Sequence, residues 1–327
     1  MGNKKINIAV LGCAAIAERS VIPAIIDLPD YYNLCGIASR NADKVSIFAQ
    51  RFNTKPYFGY QNAIDDKFID AVYIPLPNSL HYEWVKKALQ AKKHVLVEKS
   101  LACSLAESVE LNNLAKINNL ALVENFQFRF HSQLTYIQDI IQKGAIGEIR
   151  SIRSSFGFPG LSSEDDIRYQ KELGGGALLD AGAYPIKIAQ IFMGNNIEVK
   201  AANLNDIEGK EVDIWGGAYL KQIDGNLFAE IAFGFQHFYQ CNIEIWGSKG
   251  KLYSNRIFTA GNNVKPIIEI ETQSGKENIT LSVDKHFHNM LIYFNNVINS
   301  DILKEKEYID NINQARLIQQ TIQKSNE

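Results

Sequence analysis

The first third of the chain alternates short, near-continuous apolar runs with longer amphipathic ones. "INIAVLG", "NLCGIASR", "DAVYIPLP", "KHVLVEK" and "LALVEN" lack the strict alternation of a half-exposed strand, so they read as strands buried on both faces of a parallel sheet. Between them "CAAIAERSVIPAIIDLP", "SLHYEWVKKALQAK" and "LAESVELNNLAKINN" place apolar residues at helical spacing. Strands alternating with helices predict right-handed βαβ units and a doubly wound sheet. In such a sheet ligands bind beyond the carboxyl ends of the strands, so the residues just after each strand are the candidate site.

Near residue 124 the pattern changes. "IRSIRSSFGF", "VKAANLND", "DIWGGAYLKQ", "LFAEIAFGFQ", "QCNIEIWGS", "GKLYSN" and "PIIEIET" read as strands, with hairpin turns at "IDGN" and "GSKG". Crossover helices are missing there, which predicts a largely antiparallel open sheet. Helices are expected around 132–143, 180–193 and 286–299, where they could cover one face of that sheet. The last helix, "NINQARLIQQTIQKSN", is expected to pack back against the first domain. The expected fold class is α/β, with a Rossmann domain over 1–123 and an α+β domain over 124–327. A length of 327 residues agrees, since domains run to about 100–200 residues each.

Composition narrows the function classes. A formal net charge of −2 argues against a nucleic acid or an anionic membrane as the main partner. No apolar run reaches the roughly 18 residues of a membrane span. The N-terminal "MGNKKINIAVLG" is too short in its apolar run for a signal peptide, and Ile6 stands where a myristoylation signal has Ser or Thr. Cys13, Cys35, Cys103 and Cys241 have no C-x-x-C spacing and read as reduced thiols, three of them in apolar surroundings. A cytoplasmic location is expected. The histidines have no metal-like spacing with acids or cysteines, so no metal is expected.

The turn after the first strand runs from Gly12 through Cys13, Ala14, Ala15 and Ile16 to Ala17. It keeps only the first glycine of G-x-G-x-x-G. Alanine is still small enough for a pyrophosphate to approach the N–H groups of a helix start. After the second strand, "GIASRN" offers Ser39 and Arg40 and no acid until Asp43. A carboxylate there would repel a 2′-phosphate, whereas a hydroxyl and a guanidinium attract it. NADP(H) is therefore favoured over NAD(H), with Arg40 as a plain surface charge the alternative. "PNSLH" opens a helix after a strand, where Asn78 or Ser79 could serve merely as a cap. "GGGALLDAGAYP" puts three glycines ahead of Asp180 and Tyr184, which share a face if the segment is helical. A phenol with a pKa near 10 can protonate a carbonyl under reduction, and a nearby ammonium favours the phenolate that results. Gln236, His237 and Tyr239 could line a pocket or form a strand's polar face.

Four motifs in order, the Gly12 turn, "PLPNSLH", "VEKSLA" and "GGGALLDAGAYP", resemble the glucose–fructose oxidoreductase/inositol dehydrogenase/rhizopine-catabolism family over essentially the whole chain. "GCAAIAERSVIPA" and "IRYQKELGGGALLDAGAYPI" look most like its nucleotide-sugar 3-ketoreductases. The resemblance implies that Lys99, in Glu98-Lys99-Ser100, is the catalytic lysine, with Ser100 in place of the family's proline. It implies that Asp180 and Tyr184 match the Asp-x-x-x-Tyr branch, and that Leu76, Pro77, Asn78 and His81 lie along the cofactor cleft. Arg168 matches the arginine near the nicotinamide carboxamide, with Ile167 in place of a tryptophan. The aromatic outer face of the second sheet would form a homodimer or homotetramer. The implied activity is NADP(H)-dependent reduction of a sugar carbonyl, most of all C3 of a nucleotide-linked keto-deoxysugar. Dehydrogenation of free sugars, cyclitols or dihydrodiols, and a non-catalytic dinucleotide sensor, are the alternatives.

Overall fold

The computed structural model describes residues 5–161, 163 and 165–327; Gly2, where the myristoylation reading falls, lies outside them. Two compact units are present. The first holds the residues up to Asn125 together with Phe287–Ile312, and the second holds Phe126–His286 together with Asn313–Glu327.

The first unit is built on six parallel strands: β1 (Ile6–Leu11), β2 (Tyr32–Ser39), β3 (Lys55–Phe58), β4 (Ala71–Ile74), β5 (His94–Glu98) and β6 (Leu122–Asn125). They lie in the order β3-β2-β1-β4-β5-β6. The chain therefore leaves β1 towards one edge and returns to β4 on the other side. This reversal opens a crevice at the carboxyl ends of β1 and β4. Ile8, Val10, Val72, Ile74, Val95 and Val97 are fully buried, as continuous apolar runs in a parallel sheet require. The connecting helices are α1 (Ile22–Ile26, entered through a π-helical turn at Ala17–Val21), α2 (Ala42–Arg51), α3 (Tyr60–Asp65), α4 (Asn78–Gln90) and α5 (Leu105–Ile117). Asn41 caps α2 by accepting the Lys44 N–H, and Ser104 caps α5 by accepting the Glu107 N–H.

The second unit carries α6 (Ser132–Gln142), α7 (Ala183–Met193) and an eight-stranded sheet of β7 (Ile149–Gly157), β8 (Ile197–Asn205), β9 (Trp215–Gln222), β10 (Phe228–Gly234), β11 (Gln240–Gly247), β12 (Gly250–Ser254), β13 (Ile267–Thr272) and β14 (Gly275–Thr280). The order is β14-β13-β12-β11-β7-β10-β9-β8. Every pairing is antiparallel except β7 with β10, which is parallel. Alternate residues, among them Ile152, Ile231, Ile243, Ile245 and Leu252, point into one core. All of α7 from Ala183 to Gln190 is buried, so its sequence is apolar nearly all round.

Two helices depart from expectation. The segment expected to cover the second sheet, now α8 (His286–Ile298), belongs to the first unit from Phe287 onward. Its Leu291 carbonyl accepts the Tyr32 hydroxyl at 2.6 Å, and Met290, Leu291, Phe294 and Val297 are buried. The last helix, α9 (Asp301–Ser325), starts earlier than its apolar spacing suggested. Tyr308 and Asn311 bond the carbonyls of Leu120 and Leu122 in the first unit, while Gln314 and Arg316 bond those of Ala183, Asn195 and Ile197 in the second. Among the described residues no helix is long and apolar enough to cross a membrane.

Candidate active site

At the end of β1, Gly12 adopts φ +134°, and its N–H donates to the Ala38 carbonyl at 2.9 Å. A Cβ at this position would lie 2.9 Å from Leu76 Cδ2, so both the backbone and the β4–α4 loop require glycine. Cys13 is buried; burial raises its thiol pKa, while the Lys44 charge and a hydrogen bond with Ser39 act the other way. Ala14, Ala15 and Ile16 remain at least partly exposed, leaving a small-residue surface at the helix start. Ser39 is buried at the end of β2 and accepts the Asn41 N–H. Arg40 is exposed; burial raises the Tyr60 phenol pKa and the Arg40 charge opposes that rise, while the Tyr60 ring stands edge-on to Trp84 at 4.9 Å. Arg40 and Lys44 thus set two cations against Asp43 at this strand end. That balance suits a 2′-phosphate, and the Gly12 turn suits the pyrophosphate of the same dinucleotide.

The β4–α4 and β5–α5 loops are tied together. Asn78 Oδ1 accepts the Ser100 N–H at 3.3 Å, and the two His81 ring nitrogens lie 2.6 Å from the Ser100 carbonyl and 2.7 Å from that of Leu76. Burial lowers the His81 pKa to about 4, so the neutral ring donates to one of the two carbonyls. Pro77 holds the extended residue before α4. Glu98 Oε1 accepts Tyr73 Oη and Asn125 Nδ2, both at 2.7 Å, which braces the ends of β4, β5 and β6. Burial raises the Glu98 carboxyl pKa, and those two donors oppose the rise. Lys99 follows directly, half-buried, and the Lys99–Ser100 peptide is cis.

In the second unit the glycine run is a folded loop. Gly174 adopts φ +71°, and Gly175 approaches the Arg168 and Gln170 carbonyls so closely that a Cβ would lie 2.5 and 2.8 Å from them. Arg168 Nε donates to Asp180 Oδ2 at 2.7 Å, and Arg168 Nη1 lies 3.3 Å from Asp166 Oδ1. The proposed cofactor arginine is therefore held by two acids of its own unit. Asp180 lies in a π-helical turn, Leu178–Gly182, that leads into α7. The regular α-helical phase assumed between Asp180 and Tyr184 is altered by that turn, and each side chain has its own partners. The Tyr184 ring packs against Phe126, Phe128, Phe156 and Phe258 with centroids 5.1–5.8 Å away, and its hydroxyl donates to Gln127 Oε1 at 3.4 Å.

Sequence reasoning missed Asp213, Lys44 and Gln127. Asp213 Oδ2 accepts the Leu178 N–H at 2.6 Å, its main-chain carbonyl accepts the Ala177 N–H, and its Oδ1 lies 2.4 Å from where a Gly176 Cβ would sit. Burial raises its carboxyl to about 6. No local motif marks it, because its partner is 35 residues away. Lys44 could have been found as a first-turn cation beside Arg40. Of the uncertain trio, Gln236 is left-handed (φ +58°), His237 Nδ1 is 2.8 Å from the Phe235 carbonyl, and Tyr239 packs against the core. Two of the three cysteines expected in apolar surroundings fit that reading best: Cys13 and Cys241 are buried, Cys35 is half-buried and Cys103 exposed.

Known proteins carry the same architecture. Residues 6–126 match the signature "Oxidoreductase family, NAD-binding Rossmann fold", and residues 134–253 match "GFO/IDH/MocA C-terminal domain". A dTDP-3,4-didehydro-2,6-dideoxy-alpha-D-glucose 3-reductase of Actinomadura kijaniata is 38% identical over 96% of this chain and 93% of its own. A reductase of the same name from Saccharopolyspora spinosa is 38% identical over 86% and 84%. The crystal structure of a 3-ketoreductase from Actinomadura kijaniata in complex with NADP and TDP-benzene superposes with a TM-score of 0.93 at 37% identity, covering 98% of both chains. The chain is an oxidoreductase and belongs to the glucose–fructose oxidoreductase/inositol dehydrogenase/rhizopine-catabolism (Gfo/Idh/MocA) family.

Proposed function

We propose that this protein reduces the C3 carbonyl of a nucleotide-linked keto-deoxysugar with NADPH. The names of its relatives support the substrate, and the pairing of NADP with a TDP compound in the similar ketoreductase structure supports both ligands. The observation that carries the chemistry is Tyr184, a phenol on a buried helix whose ring is fixed by four phenylalanines. When bound, NADPH supplies the hydride that attacks the carbonyl carbon. Tyr184 gives its proton to the carbonyl oxygen as negative charge develops there. Lys99, at the end of β5, orients the ribose and lends its positive charge to the reacting carbonyl. Asp180, clamped by Arg168, holds a substrate hydroxyl in register.

The first unit takes the dinucleotide. Gly12, Cys13, Ala14, Ala15 and Ile16 admit the pyrophosphate; Ser39, Arg40 and Lys44 take the 2′-phosphate; Leu76, Pro77, Asn78, His81 and Glu98 shape the nicotinamide side. Lys44 joins this set because its charge acts on Cys13 in the same turn. The second unit takes the sugar, and the outer face of its sheet, which exposes Trp246 and Ile267, joins two or four copies. A cytoplasmic location is part of this proposal. NADPH oxidation with a nucleotide-linked 3-keto-deoxysugar generated in situ tests the reading, with free sugars and dihydrodiols as rivals. Turnover of the free compounds alone would favour a dehydrogenase of those substrates, and binding without turnover would favour a sensor.

A further inference from the structure

The segment after β12 carries Arg256 two residues before Phe258, one of the rings packed on Tyr184. Arg256 is half-buried, and its Nη1 donates to Tyr239 Oη at 2.7 Å and to Thr259 Oγ1 at 3.4 Å. Its carbon lies 5.0 Å from the Tyr239 ring centroid. Tyr239 Oη and Thr259 Oγ1 are 2.5 Å apart, and Thr259 Oγ1 is 3.2 Å from Cys241 Sγ. Hydrogens can therefore run in one direction, from Arg256 through Tyr239 and Thr259 to Cys241. Among the described residues no carboxylate pairs with Arg256, and Nε and Nη2 have no acceptor. A half-buried guanidinium without a counter-ion is unusual, because such charges are normally paired.

The backbone of this segment is pinned towards the proton donor. Gln133 Nε2 donates to the Arg256 carbonyl at 3.1 Å. Gln127 Nε2 donates to the Phe258 carbonyl at 3.4 Å while Gln127 Oε1 accepts the Tyr184 hydroxyl. Phe258 also packs on the Tyr184 ring at 5.5 Å. Two residues of chain span at most about 7 Å, so the Arg256 backbone stands within that distance of Phe258, whose ring packs on Tyr184. In a nucleotide sugar the C1-linked diphosphate lies about one pyranose width from the C3 carbonyl, so its receptor belongs in the surroundings of the proton donor.

We infer that Arg256 is the receptor for the substrate's diphosphate, its Nε–Nη2 edge free to form the bidentate contact that a phosphate accepts. This inference rests on the nucleotide-sugar reading above. Tyr239 and Thr259 aim the guanidinium, so the site selects nucleoside-diphosphate sugars over free sugars.

Titration calorimetry of the full chain with TDP, in the presence of NADP, tests it. Arg256→Met should weaken TDP binding about ten- to a hundredfold, the usual effect of losing a charge-assisted contact, and leave NADP affinity unchanged. Tyr239→Phe should give a smaller loss in the same direction. If Arg256→Met fails to fold, Arg256→Gln replaces it. Wild-type TDP affinity in a folded Arg256→Gln overturns the inference and leaves the nucleotide-sugar reading standing. A wild type that binds neither TDP nor UDP overturns both.

Discussion

Asp213 Oδ2 accepts the Leu178 backbone N–H at 2.6 Å, fixing the start of the helical segment that carries Asp180 and Tyr184. The carboxylate does this from a buried position that raises its pKa to about 6, chiefly through desolvation. The native pKa lies above the unfolded value near 3.8, so the protonated form is favoured by folding. That stability is fully present below the unfolded pKa and is lost as pH rises through about 6. Asp213→Asn keeps an acceptor for Leu178 and removes the ionisation. Its melting temperature should therefore vary less with pH between about 4 and 7 than the wild type's. The difference is bounded by about 3 kcal/mol, since each pK unit is worth about 1.4 kcal/mol. Thermal denaturation across that range decides it, and parallel profiles for the two proteins would rule the linkage out.

Gly12 is required twice, by its φ of +134° and by the Leu76 side chain against it. Gly12→Ala should cost about 1–3 kcal/mol of stability and raise KM for NADPH at least tenfold, because the turn that receives the pyrophosphate must shift. Leu76→Ala in the same chain removes the steric contact and leaves the backbone strain. The double variant should recover part of the lost melting temperature and little of the cofactor affinity. A Gly12→Ala enzyme with wild-type KM would mean that the dinucleotide does not approach this turn.

Cofactor choice turns on Arg40. Arg40→Asp replaces an exposed cation at the end of β2 with a like charge to the 2′-phosphate. Losing a charge-assisted contact is worth about 1.5–3 kcal/mol, so NADPH affinity should fall about ten- to a hundredfold while NADH affinity holds or improves. Lys44, close enough to lower the Cys13 thiol electrostatically, should keep part of the preference until it too is replaced. Fluorescence titration with both cofactors reads this directly, and a wild type that already prefers NADH would reverse the assignment.

What the sequence disclosed follows the range of the forces involved. The strands of the first sheet were legible because burial on both faces forces continuous apolar runs, as at Ile8–Leu11 and Val95–Val97. β3 escaped notice because it is four residues long with Pro56 inside it, and β14 because "GKENIT" is an exposed polar edge strand. The π-helical turns at Ala17–Val21 and Leu178–Gly182 shift phase by one residue, which no periodicity records. α8 carries an apolar face that any sheet could receive, and contacts such as Tyr32–Leu291 and His288–Asp27 show which one does. Asp213 and Arg256 act through partners that are distant in sequence or face a ligand, so local pattern could not mark them.

Tyr184→Phe tests the chemistry with the least structural disturbance. The ring is held by Phe126, Phe128, Phe156 and Phe258, and all four contacts survive the loss of the hydroxyl. The hydroxyl's contact to Gln127 Oε1 is long, at 3.4 Å, and the ring packing is kept, so the fold should persist in the variant. If the hydroxyl supplies the proton, kcat should fall about 10²- to 10⁴-fold. Lys99→Ala should be comparably damaging, and the double variant far less than additive, because removing either member already disables the unit. Water could replace the phenol in part, which would place the loss at the lower end of that range. Gln127→Ala offers a control: it unties the hydroxyl but leaves the phenol, so it should lower kcat much less than Tyr184→Phe. Near-wild-type turnover by Tyr184→Phe on the nucleotide-linked substrate would transfer the proton-donor role to Lys99.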